Sequence, residues 1–139
     1  MYVKQLDHLN LTVANLEETI RFYSAVFGFE VVEEGTRDEG PWAIIRSGDA
    51  MLCIFESNRL PPARCREDGQ ERHVIYHFGL RITDREAWLS TVEEHQLNLL
   101  YGGEQVYPHS SSWYVCDPTG YTLEVVLWHA DEIRFADVA

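Results

Sequence analysis

The sequence predicts an α+β fold of two βαβββ modules, whose curved mixed sheets enclose a shared cleft. Three observations carry this reading. A segment starting at His8, HLNLTVANLEETI, is echoed by HFGLRITDREAWL from His77, an offset of 69. A second echo, at an offset of 71, matches Trp42 with Trp113, Leu52 with Leu123 and Ile54 with Val125. Each copy passes from an alternating strand pattern into an amphipathic helix and then into further strands.

The elements follow in order. Strands are expected at 5–13, 29–34, 42–47 and 50–56, and again at 73–82, 98–107, 112–117 and 121–128. The first helix carries Leu16, Ile20, Tyr23 and Phe27 at helical spacing, and Gly28 suits its carboxyl end. In the second, Trp88, Leu89 and Val92 form the apolar stripe. Asn15 with Glu18, and Thr83 with Glu86, read as capping boxes. Module 1 covers about 4–57 and module 2 about 72–128. A charged linker with two prolines, 58–71, joins them, and an acidic tail, 129–139, follows. The competing explanation is chance likeness between two ordinary strand–helix units.

Bulk composition bounds the function. The 139 residues suit one domain with a real core, and 45% hydrophobic content excludes a disordered chain. Eleven basic against 23 acidic residues give a net charge of -12, which repels nucleic acid. The same field disfavours an anionic substrate unless a local cation or metal overrides it. The three cysteines are an odd number without CxxC spacing, which speaks against a disulfide framework or a Cys-rich zinc site. No apolar run approaches the length of a membrane span and the first residues are no signal peptide, so a cytoplasmic protein without membrane contact is expected.

Strand parity sorts the polar residues. Leu9, Leu11 and Val13 should pack under a helix, leaving His8, Asn10 and Thr12 on the opposite face. By the same rule His77, Gly79 and Arg81 lie opposite Phe78, Leu80 and Ile82, and Glu124 opposes Leu123 and Val125. His8, His77 and Glu124 therefore all leave the faces away from the helices. Two imidazoles and a carboxylate suit one divalent ion (Fe, Mn, Ni or Zn) and leave coordination positions open. Taken singly, each histidine is more readily a structural residue; the repeat is what singles out this pair. Cys53 matches Glu124 across the repeat, so it is the candidate fourth corner, against the simpler reading of a small buried thiol. Glu56 has the wrong parity and reads as a solvated charge. His73 shares the parity of His77 and could support the ligands. Asn10, Trp42 and Phe55 are candidate walls of the substrate pocket.

LDHLNLTVANLEETIRFYSAVFGFE, YHFGLRI and SSWYVCDPTGYTLEVV resemble the vicinal oxygen chelate superfamily over residues 4–128. That superfamily has the glyoxalase/bleomycin resistance/dihydroxybiphenyl dioxygenase fold. It includes glyoxalase I, fosfomycin resistance proteins, extradiol dioxygenases, methylmalonyl-CoA epimerase and bleomycin-binding proteins. The resemblance implies metal ligation by His8, His77 and Glu124. Cys53 stands where glyoxalase I has a fourth, carboxylate ligand. Tyr114, ten residues before Glu124, matches a tyrosine in both fosfomycin thiol transferases and extradiol dioxygenases, which makes it a candidate catalytic residue. Asn10 replaces the threonine of the phosphonate site. His109 is the candidate for the dioxygenases' further catalytic histidine, although it stands about four residues too close to Tyr114. The resemblance thus implies a metal-dependent enzyme acting on a small molecule chelated through vicinal oxygens, extradiol dioxygenation leading. A fosfomycin-type thiol transferase or glyoxalase-like lyase or isomerase is the alternative. A metal-free, bleomycin-type binding protein is the alternative of another class, and relatives suggest a homodimer.

Overall fold

The computed structural model describes residues 5–60 and 77–131. Its element order is β1 (Leu9–Val13), α1 (Leu16–Phe27), β2 (Glu30–Arg37), β3 (Gly40–Ser47), β4 (Ala50–Glu56), β5 (Phe78–Arg81), α2 (Arg85–Glu94), β6 (Gln105–Val106), β7 (Ser110–Cys116) and β8 (Thr122–Trp128). The chain divides into two units, residues 1–63 and 64–139. Each holds one mixed four-stranded sheet, of order β1-β4-β3-β2 or β5-β8-β7-β6, with a parallel first pair and antiparallel neighbours. The α+β, twice-built architecture is thus the one the repeat predicts.

In the first unit α1 covers one sheet face. Leu11, Val13, Ala43, Ile45, Leu52 and Ile54 are buried there with Leu16 and Tyr23 of the helix. Burial of each large apolar side chain contributes about 1.5–3 kcal/mol. Asn15 caps α1 by accepting the Glu18 N–H at 2.8 Å, and Gly28 ends it at φ 67. Glu56 is not simply solvated. Its Oε2 accepts the Leu16 N–H at 2.7 Å, which places a negative charge against the amino end of the helix. Parity pointed it toward the helix side, and an unsatisfied helix N–H waits there.

The second unit buries Trp113, Val115, Leu123 and Val125 against Trp88 of α2. Trp88 and Trp113 meet edge-on at 6.5 Å. The cap of α2 falls one residue later than expected: Asp84, not Thr83, accepts the Ala87 N–H at 3.0 Å. The long strand expected at 98–107 is instead a 3-10 turn, Leu100–Gly102, and the two-residue β6. Tyr101 at φ 54, Gly102 at φ 76 and Gly103 at φ 110 take the chain out of extended geometry. Strand β5 begins at Phe78 and β1 at Leu9, so both histidines stand one residue ahead of their strands.

Strand pairing corrects one part of the repeat. Asn10 pairs with Cys53 and Gly79 with Glu124, so Cys53 and Glu124 do correspond. Across the next pair, Ile44 stands opposite Cys53 and Tyr114 opposite Glu124. The counterpart of Trp42 is therefore Ser112, not Trp113. Trp42 lies on the face away from α1, whereas Trp113 lies under α2; a one-residue shift exchanges the faces.

Candidate functional site

The hairpin joining β7 to β8 sets the register that builds the site. Asp117 is buried, and its Oδ1 accepts the N–H groups of Thr119, Gly120 and Tyr121 at 3.0, 2.9 and 2.8 Å. Gly120 supplies the positive φ, 103, that the turn needs. This fixes Tyr114 opposite Glu124 and Ser112 opposite Val126. The hydroxyls of Ser112 and Tyr114 then donate to Glu124 Oε1, at 2.7 and 3.2 Å.

The other oxygen, Oε2, lies 3.0 Å from His77 Nε2. One carboxylate oxygen is thus held by two hydroxyls while its mate meets the imidazole. Without metal this contact is a hydrogen bond or ion pair. It also fits a shared cation: two donors each about 2.1 Å from an ion, at right angles, lie about 3.0 Å apart. Among the described residues no three His, Cys, Asp or Glu side chains gather into a metal cage. His77 and Glu124 meet as a pair within the second unit. His8 belongs to the first, where its Nδ1 lies 2.7 Å from the Asp7 carboxylate. That contact leaves Nε2 as the nitrogen available to a ligand.

A cleft of about 740 Å³ opens over this pair, lined by residues of the second unit. His77, Tyr114 and Glu124 form one end; Gly79 and Val126 form the floor, and Arg81, Trp128 and Ser110 lie beyond them. Tyr107 also lines it, its hydroxyl 3.2 Å from that of Tyr114. Tyr114 stands edge-on to both His77 and Tyr101, at 5.7 and 5.3 Å. Burial pushes the Tyr114 hydroxyl well above its ordinary pKa, with the Tyr107 hydroxyl and the Glu124 charge adding to it. The group therefore stays protonated and can donate.

Four of the remaining candidates belong to the first unit. Cys53 and Asn10 are paired neighbours on the open face of the first sheet, with Trp42 and Phe55 also opposite each other. Trp42 lies over Gly35, where an added Cβ would come within 2.8 Å of the indole, and Arg37 stacks on it at 5.1 Å. Burial, then the Asp7 charge, raises the Cys53 thiol's pKa, which favours the protonated, non-ligating form. His109 lies in the bend before β7, outside the lining of the cleft, and its carbonyl accepts the His129 N–H at 3.0 Å. His73 falls outside the described residues. Cys116 is disulfide-bonded, contrary to the expectation drawn from cysteine count and spacing, which do not report folded proximity. Sequence reasoning missed Ser112, Tyr107 and Trp128. Ser112 was within reach, because it shares the parity of Tyr114, but only once the turn at Asp117 fixes the pairing.

A family model described as Glyoxalase/Bleomycin resistance protein/Dioxygenase superfamily matches residues 5–125. The chain belongs to this superfamily. Its members include enzymes that act on small molecules. The metallothiol transferase FosB of Staphylococcus epidermidis is 24% identical over 88% of this chain and 83% of its own length. A catechol-2,3-dioxygenase of Bacillus subtilis is 30% identical over 93% of this chain, which spans only 42% of that protein. The crystal structure of a glyoxalase family protein from Enterococcus faecalis covers 91% of this chain and 99% of its own, with 23% identity and a TM-score of 0.76. Among the described residues no helix is long and apolar enough to cross a membrane.

Proposed function

We propose that the chain is a divalent-metal-dependent enzyme acting on a small molecule through two neighbouring oxygens, with His8, His77 and Glu124 as ligands. The observation that carries this is the 3.0 Å approach of His77 Nε2 to Glu124 Oε2, with Oε1 held separately by Ser112 and Tyr114. When bound, the metal (Fe, Mn, Ni or Zn) supplies a Lewis acid that holds the substrate oxygens and stabilises negative charge developing on them.

The protein's own groups do the rest. Ser112 and Tyr114 orient the carboxylate, as Asp7 orients the His8 ring. The Tyr114 hydroxyl, kept protonated, can turn from Glu124 to donate to a substrate oxygen. Tyr107, Tyr114 and Trp128 offer ring surfaces that displace water and pack against an aromatic body. Ring-cleaving dioxygenation of a catechol, in which both atoms of O2 enter the product, is the leading chemistry. Thiol transfer is the second reading, favoured by the likeness to FosB over most of both chains.

The deciding experiment loads the protein anaerobically with Fe(II), then adds oxygen and a panel of catechols. Oxygen uptake with a yellow ring-fission product is expected. Silence of the Fe(II) protein, together with thiol addition to an epoxide by Mn(II) protein, would transfer the assignment to the second reading. Absence of metal uptake in titration would leave a metal-free binding protein.

A further inference from the structure

Arg81 has no part in the roles described so far, yet it lines the cleft on the same strand face as His77 and Gly79. Its strand partner is Val126, two residues beyond Glu124 on β8. At about 3.3 Å per residue, Arg81 therefore stands roughly 7 Å along the sheet from the level of Glu124. The guanidinium lies 5.7 Å from the Trp128 ring centroid, a stacking contact that restrains it. Its surroundings differ from those of Arg21 and Arg85, which pair with Glu17 and Glu104 at 2.9 and 2.6 Å. Among the described residues no carboxylate pairs with Arg81, in a chain whose net charge is -12.

The floor between the two ends is open. Gly79 has no side chain, and a Cβ built there would meet nothing nearer than the Glu124 carbonyl oxygen, at 3.8 Å. The cleft thus has a carboxylate–imidazole end, a bare apolar floor of Gly79 and Val126, and a cationic end that no carboxylate among the described residues neutralises.

We infer that Arg81 is a specificity residue that receives an anionic substituent of the substrate, a carboxylate carried on a flat apolar body some 6–8 Å from the oxygens held at the His77–Glu124 end. This rests on the reading of the cleft as the substrate site. It also explains how an acidic protein accepts an anion: a planar, bidentate donor set offers charge-assisted hydrogen bonds that outweigh the weak, screened field of the remaining surface.

The test compares two probes of one shape, 3-(3,4-dihydroxyphenyl)propanoate and its neutral amide, by calorimetric titration of metal-free and Mn(II)-loaded protein. Wild type should bind the acid on the order of tenfold more tightly than the amide. Arg81→Gln should bring the acid to within about twofold of the amide, and Arg81→Lys should restore part of the gap without its bidentate geometry. Gly79→Leu should weaken both probes together by filling the floor, and circular dichroism should show all three variants folded. Equal affinity of wild type for the two probes overturns the inference. So does a loss on Arg81→Gln that is the same for both, or failure of wild type to bind the acid at millimolar concentration. Metal content measured on the same samples keeps the two readings apart: a protein that takes up no metal yet retains the acid–amide gap refutes the metal centre and leaves the assignment of Arg81 standing.

Discussion

The two units share a strand order and a pairing pattern, yet their open sheet faces differ in chemistry. Where the second unit has Glu124 the first has Cys53, and where the second has Ser112 and Tyr114 the first has Trp42 and Ile44. One face is mainly apolar and the other carries a hydrogen-bonded carboxylate. A shared backbone therefore supplies equivalent positions, while side chains decide which copy receives polar ligands. The repeat says where a functional residue can stand, and residue type says whether it does.

The largest stability effect should come from the turn that sets the polar face. Asp117→Ala removes one buried acceptor from three backbone N–H groups, which should cost on the order of 3 kcal/mol and lower Tm by roughly 10 °C. The matching hairpin of the first unit, between Ser47 and Ala50, is a two-residue turn with Gly48 at φ 56. Asp49→Ala there should change stability by less than about 0.5 kcal/mol. Thermal melts of both variants check the contrast, and equal losses would remove it.

Next comes the orientation of Glu124. Ser112→Ala should weaken metal affinity by roughly tenfold, the usual effect of removing a group that orients a ligand. Trp42→Phe, at the corresponding position, and Cys53→Ser, at the corner matching Glu124, should leave it unchanged. Competition titrations with a chelator measure all three. A marked loss for Cys53→Ser would return that thiol to the coordination sphere.

The smallest effect concerns Glu104. The Arg85 hydrogen bond, offset in part by desolvation, holds its carboxyl below the ordinary carboxylate pKa. A depressed folded pKa stabilises the folded state above the unfolded value and loses that contribution as pH falls through the folded one. The pair is largely exposed, so the shift should be small and screened by salt. Comparing Glu104→Gln with wild type across the carboxylate range, from about pH 6 to about pH 3, should show a wild-type advantage that fades toward the acid end.

Much of the fold was legible because hydrophobic period reports local structure directly. The alternations at His8 and His77, and the helix from Leu16 to Gly28, needed no knowledge of distant contacts. Face assignment of Glu124 followed from parity within one strand. What failed was register between strands. Trp42 and Trp113 look alike in sequence, yet only the pairing opposite Phe55 and Val125 shows that they face opposite ways. The expected strand at 98–107 failed at Tyr101–Gly103, where three consecutive positive φ angles interrupt an otherwise extended pattern. Ser112 and Tyr107 were missed for a related reason, since their roles depend on how the chain carries the Ser112 hydroxyl to Glu124 and the Tyr107 hydroxyl to Tyr114.

The central claim is that a carboxylate and two histidines hold one divalent ion. Elemental analysis of protein purified without chelators tests it most directly, with wild type set beside His8→Ala, His77→Ala and Glu124→Gln. The account predicts about one ion per chain in wild type and a strong loss of occupancy in each variant, with circular dichroism showing that all remain folded. Retention of the wild-type metal content by all three variants would contradict it.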